Sequence, residues 1–338
     1  MSRRHFLKTS ALIGATGLAL KLTPTRAQRV APSSATGRPI QIRMGGYAPP
    51  TTSFSLGLKL IGDRLEEEFG DELSIRYTYN VMDVGYGGGG DLRWLVDSGL
   101  LTVGYVTMTD VPELELAALP FLFSDTTAAR AAMDGPLGQS ATTSLEAANN
   151  YRILGYFENG FRHISNNIRP VDKLEDLQGL KIRVLGVQAR TFELLGADPQ
   201  AINLSEAIQR IQAGTLDGQE NPFANTVTYN IYPYQRFHTT TFHSYLSRPI
   251  FIHQPSFDTW PKEIQTGIRH AAQDAVTLQR ELHDREEEEA QTIIREAGGE
   301  ITELTPEARE EFVAAVAPIY TEAQNRYSRE LLEMVNLQ

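Results

Sequence analysis

Between Ser53 and Gly70 apolar residues fall at 54, 56, 58, 60, 61, 65 and 69. That is close to helical spacing, and the glycine stands where a helix should stop. Leu73, Ile75, Tyr77 and Tyr79 then alternate with polar neighbours, the pattern of a half-buried strand. Ile40 to Tyr47 reads as a strand before that helix, and Leu101 to Val106 as a strand after it. Between them a glycine run, Gly85 to Gly90 broken by Tyr86, leads to Asp91, an expected N-cap for a helix through Ser98. This alternation predicts helices packed on a largely parallel sheet.

Further along, Pro112 to Phe123 is apolar and reads as core. Tyr151 to Phe157 reads as a strand, and Asn159-Gly160 as a turn where the chain crosses into a second domain. That domain is expected to hold a strand over Leu180–Val184, helices over 188–195 and 205–213, with Ser205 as an N-cap, and a strand near 238–245. From Pro261 to Gly298 runs one long helical pattern with an apolar stripe through Ile264, Ile268, Ala271, Ala275, Leu278 and Leu282. At 1.5 Å per residue it would be about 55 Å long, more than one small domain needs, so it is expected to cross both lobes. Glu286 to Glu289 within it read as a solvated face. Two helices, near 305–316 and 318–335, close the chain. The expected fold is α/β and two-lobed: residues 28–160 with 247–286 in lobe I, and 161–246 with 287–338 in lobe II.

The N-terminus carries its own pattern. Arg3-Arg4-His5-Phe6-Leu7-Lys8 reads as a twin-arginine export signal. The apolar run Ala11 to Leu22 is too short to span a bilayer, and Thr25-Arg26-Ala27 offers a cleavage site near Ala27. Residues 1–27 are therefore expected to be a signal peptide and the mature protein periplasmic. Composition fits that picture. The chain has no cysteine, so burial alone must stabilise it, and its net charge of −11 argues against nucleic acid as a partner.

The densest motifs lie between 158 and 222. Phe161-Arg162-His163-Ile164-Ser165-Asn166 comes first. Leu174-Glu175-Asp176-Leu177-Gln178-Gly179-Leu180-Lys181-Ile182-Arg183-Val184 follows, and then Asp217-Gly218-Gln219-Glu220-Asn221-Pro222. Together they resemble the substrate-binding proteins of tripartite ATP-independent periplasmic (TRAP) transporters, the DctP-type family. The resemblance implies a periplasmic binding protein fold that captures a small organic acid between two lobes. It implies delivery to one small and one large integral membrane subunit, no cofactor and no enzymatic activity. The family's carboxylate-gripping arginine falls on Arg183, its supporting arginine on Arg162 and its cleft asparagine on Asn221.

Elementary chemistry agrees. Alternation along Lys-Ile-Arg-Val turns Arg183 away from Ile182 and Val184. A guanidinium fork matches a carboxylate in two parallel hydrogen bonds. Alternatives remain. Arg183 could instead form a structural salt bridge to Glu193 or Asp217. Arg162 could touch ligand or hold Arg183, and Asn221 could bond its own backbone in a turn. Glu220 could pair across the cleft or join a cation site; whether a metal ion takes part is open. Gly186, Leu204 and the arginine-free glycine run depart from the sialic-acid-binding members, which makes a large acidic sugar a poorer fit than an aromatic or small aliphatic acid. Tyr47 and Tyr86 stand in candidate cleft loops. The other reading is a secreted hydrolase or lyase-type enzyme on the same scaffold with Asp217 or Glu220 as acid or base. No nucleophile motif, P-loop or metal-ligand spacing supports it.

Overall fold

The computed structural model describes residues 38–337. The export signal expected at Arg3-Arg4 lies outside them. The chain begins with β1 (Ile40–Gly45), α1 (Ser53–Phe69), β2 (Leu73–Thr78), α2 (Gly89–Asp97) and β3 (Val103–Tyr105). Three helices follow, α3 (Pro112–Ala117), α4 (Thr126–Asp134) and α5 (Pro136–Ala148). Next come β4 (Tyr151–Phe161), β5 (His163–Asn166), β6 (Lys181–Arg183), α6 (Ala189–Leu194), β7 (Asp198–Gln200), α7 (Leu204–Gln212), β8 (Gly218–Asn221) and α8 (Phe223–Thr228). Strands β9 (Phe237–Thr240) and β10 (Tyr245–His253) precede α9 (Gln254–Asp258) and the long α10 (Lys262–Glu296). The chain closes with β11 (Glu300–Glu303), α11 (Pro306–Ala315), α12 (Ala317–Arg326) and α13 (Arg329–Glu333).

Two sheets result, ordered β2-β1-β3-β10-β4 and β11-β9-β5-β8-β6-β7. The first is not largely parallel as expected. β10 runs antiparallel to both β3 and β4, because it returns from the second sheet rather than arriving through a crossover helix. The helix α1 starts on Thr52, whose hydroxyl accepts from Ser55 N, and stops at Gly70 as its pattern predicts. Other caps differ. Gly88 rather than Asp91 precedes α2, and Asn203 rather than Ser205 caps α7 through Glu206 N. Asp91 accepts from Gly87 N at 2.5 Å, and the Ser205 hydroxyl donates to Gly87 O at 3.1 Å. The strand expected near 238–245 is two, β9 and β10, and the last helix breaks at Ser328, which caps α13.

The chain does not turn at Asn159-Gly160. β4 runs straight through it, and β10 pairs with it from Tyr245↔Phe161 to His253↔Tyr151. Tertiary pairing overrides a local turn preference here. The register shifts between Leu246 and Ser247, and there both backbone groups of Glu158 turn to Gln279 of α10. Glu158 N donates to its Oε1 at 2.8 Å, and its Nε2 donates back to Glu158 O at 2.9 Å.

The helix α10 holds 35 residues, about 52 Å of rise, and packs on α1 and β4 and further along on α8 and β11. Its acidic run is not a solvated face throughout. Glu288 and Glu289 are exposed. Glu286 accepts from Ser53 N and Ser53 Oγ at the start of α1, at 2.5 and 2.6 Å. Glu287 accepts from Phe223 N and Ala224 N at the start of α8, at 3.1 and 3.0 Å. Two adjacent carboxylates thus satisfy the orphan donors of two helices, one beside each sheet. Among the described residues no helix is long and apolar enough to cross a membrane.

Gly160 packs directly on α10. Its φ is +85°, and a Cβ there would lie 2.4 Å from His283 Nε2. Gly160→Ala is expected to cost about 1–3 kcal/mol of stability from backbone strain and that clash. Urea denaturation checks this; an unchanged midpoint would mean that β4 relaxes freely at the crossing.

Candidate functional site

Between the two sheets lies a cavity of about 330 Å³. Its walls come from the carboxyl end of β6, the loop before α7, the crossing β4–β5, the end of β8, β10 and the first turn of α2. The glycine run serves that last wall. A Cβ on Gly89 would sit 2.6 Å from Val106 Cγ2, so only glycine lets the backbone line the space there.

Arg162, between β4 and β5, is 1% exposed and faces Glu220 of β8. Its Nε donates to Glu220 Oε2 and its Nη2 to Glu220 Oε1 at 3.0 Å, to the Glu220 carbonyl at 2.6 Å and to Asn221 Oδ1 at 3.0 Å. Glu220 also accepts from Leu185 N at 3.1 Å, and His243 Nε2 lies 3.4 Å from it. Burial alone would raise the Glu220 carboxyl. The Arg162 guanidinium and then the His243 hydrogen bond outweigh that and hold it down to about 2. His243 itself is lowered by burial, against the pull of Glu220, and stays neutral.

Arg183 is 6% exposed at the end of β6, with Ile182 and Val184 in the core as the alternation requires. Its Nε donates to Ile202 O at 3.2 Å. It forms no ion pair with either acid considered for it. Glu193 pairs with Arg190, and Asp217 accepts from Lys181 N at 2.8 Å. Burial lowers its proton affinity and the field of Glu220 partly restores it. Asn221 lines the cavity, with its amide nitrogen donating to Gln219 Oε1.

The structure thus brings Arg183, Arg162 and Asn221 to one cavity. Glu220 stands behind them. It is fully buried, does not line the space, and accepts from Arg162. Asp217 does not line the cavity either, so the acid or base proposed for an enzyme has no access to a substrate there. No group of acidic residues, histidines or cysteines suited to a metal ion occurs among the described residues. Tyr47 lines the cavity as expected; Tyr86 does not, and Tyr229 also lines it. Sequence reasoning missed Arg248. It lies in the strand Tyr245–His253 between Ser247 and Pro249, with no local motif around it to signal a site. Asn225 was also missed; it donates to Asn159 Oδ1 at 3.3 Å and lines the same wall.

Residues 88–326 match the DctP family model, described as bacterial extracellular solute-binding protein, family 7. The chain belongs to this family. A solute-binding protein of Verminephrobacter eiseniae is 32% identical over 227 residues, 67% of each chain. The C4-dicarboxylate-binding periplasmic protein DctP of Rhodobacter capsulatus is 28% identical over 339 residues, 96% of each chain. The crystal structure of the sugar acid binding protein DctPAm from Advenella mimigardefordensis, in complex with galactonate, superposes with a TM-score of 0.82 at 26% identity, covering 89% of this chain and 98% of that one. The two-lobed periplasmic binding protein fold and the role as a TRAP solute-binding protein expected from the motifs are therefore those of the DctP family.

The buried pair generates a pH prediction. Glu220 ionises at about 2 in the folded chain against an ordinary value of 4.5, so its contribution is fully present above about 4.5 and lost as pH falls toward 2. Glu220→Gln leaves the Arg162 charge uncompensated and is expected to cost about 3–5 kcal/mol at pH 7. That gap to wild type should narrow below pH 4.5. Denaturant melts of both proteins between pH 7 and 3 measure it; a constant gap would show that the carboxylate charge is not what matters.

Proposed function

We propose that the cavity captures a small organic acid by its carboxylate, with Arg183 as the principal grip, Asn221 beside it, and Arg162 fixed behind them by Glu220. One observation carries this reading: Arg183 is buried and faces the cavity with no carboxylate partner among the described residues. An ion pair formed in such a space is strengthened by the exclusion of water. The volume lies at the lower end of the roughly 300–1,000 Å³ of small-molecule sites, which favours a compact acid. The relatives support the same class: one carries C4-dicarboxylate binding in its name and another holds galactonate.

The lobes divide near 160, 246 and 286, where β4, β10 and α10 pass from one sheet's side to the other's. The loaded protein delivers its solute to the small and large membrane subunits of a TRAP transporter, and it acts by binding rather than by turnover. Residues 1–27 send it to the periplasm by the twin-arginine route. Replacing Arg3 and Arg4 with lysine is expected to hold the full-length precursor in the cytoplasm; cell fractionation reads this, and normal export of the variant would remove the twin-arginine assignment.

Arg183→Ala is expected to weaken acid binding by about 2–5 kcal/mol, a loss of roughly thirtyfold to several thousandfold. Arg183→Lys should recover only part, since it keeps the charge and loses the fork. A thermal-shift panel of organic acids identifies binders, and calorimetry on the best of them measures the loss. Binding within about threefold of wild type would make Arg183 a structural residue.

A further inference from the structure

The family leaves the charge of the ligand open, since galactonate carries one carboxylate and a C4-dicarboxylate two. The cavity's own charges decide it. Three guanidinium groups reach the cavity wall, on Arg162, Arg183 and Arg248. Glu220 compensates Arg162. Arg183 meets only the Ile202 carbonyl.

Arg248 is the unusual one. It is 3% exposed, and its Nε and Nη1 find no hydrogen-bond partner. The face of its guanidinium lies over the rings of Phe54 and Tyr47, 4.3 and 5.0 Å from their centroids. Ring contacts of this kind use the faces of the cation and leave its edge to hydrogen bonds; Tyr229 bonds that edge, and Nε and Nη1 stay open. Among the described residues no carboxylate forms an ion pair with it. Burial raises Tyr47 to about 12 and Tyr105 further, so both stay neutral, and it lowers His283 to about 4. Glu286 feels the field of Arg248, but both its oxygens are engaged by Ser53. A buried charge without a partner is costly, and chains retain one where a ligand completes it.

We propose that Arg248 is a second anion clasp and that the cavity takes a diacid, with one carboxylate on Arg183 and the other on Arg248. This rests on the reading of the cavity as a carboxylate site. Arg183 sits on the second sheet and Arg248 on the first, where it pairs with Phe157. A diacid therefore bridges the two sheets and leaves neither cation bare, whereas a monoacid leaves one. The clasp comes from a residue within β10, so its position is set by the sheet rather than by a loop.

Calorimetry with matched four- and six-carbon acids, with and without hydroxyls, tests this: butyrate against succinate, and galactonate against galactarate. In at least one pair the wild-type chain is expected to bind the diacid about thirtyfold or more tightly than the monoacid. Arg248→Met, which keeps an apolar stem on the two rings, should collapse that ratio toward one. Arg248→Lys should retain part of it. Equal affinity for both members in wild type, or a ratio untouched by Arg248→Met, overturns the second clasp while acid binding itself stands. The wild-type ratio decides the matter even if Arg248→Met fails to fold. If no acid of either kind binds, the carboxylate site and the diacid fall together.

Discussion

The buried pair of Arg162 and Glu220 is the constraint on which the rest of this molecule turns. Two charges almost wholly removed from water are tolerated only when nearly every donor and acceptor is matched. The matching here recruits distant chain: the Glu220 carbonyl and Asn221 on β8, Leu185 just past β6, and His243 before β10. Arg162 N in turn donates to Ser244 O, and Gln188 Nε2 donates to Ser244 Oγ. Satisfying one carboxylate therefore fixes how β5, β6 and β8 stand against the returning strand. It also fixes the backbone of Leu185, two residues beyond Arg183. The ion pair lies behind the cavity wall and sets its geometry.

Inside the cavity the same rule is left unfulfilled. Arg248 keeps Nε and Nη1 unmatched at a burial where donors are normally matched, and Arg183 has no ion-pair partner among the described residues. Local agreement between burial and satisfaction breaks down there, while the pair immediately behind obeys it closely. Functional sites are where such violations are expected to survive, because the missing partner arrives from solution. The rings of Phe54 and Tyr47 beside Arg248 let the chain fold with this deficit in place.

What the sequence disclosed follows from how one-sided each element is. The helix α1, strand β2 and the long α10 each bury a single face, so their apolar periodicity is plain. Helices α4 and α5 are built largely from Ala, Thr and Ser and bury few large side chains, so they left little pattern to read. Asn159-Gly160 looked like a turn because its partner strand lies some ninety residues away along the chain, and only that pairing straightens it. Arg183, Arg162 and Asn221 were legible because each sits in a dense local motif. Arg248 sits among Ser, Pro and Ile with nothing nearby to mark it. Glu220 was visible as a residue but not as a role, since its partners Arg162, Leu185 and His243 come from three separate stretches.

Glu286 and Glu287 are consecutive, yet they fasten helices beside different sheets. Successive residues on a helix point about 100° apart, so one turn of α10 works as a knuckle with two pins. The spacing between the pins is the spacing of two adjacent α-carbons, about 3.8 Å, and no motion of the lobes can lengthen it while both are engaged. Sliding at this edge is thereby forbidden, and rotation about the knuckle is what remains. A one-residue insertion just before Glu287 would swing that pin through about 100° and unhook α8 while leaving α1 held. The alignment of the two halves is in this sense written in helical phase, as a count of residues rather than as an area of contact.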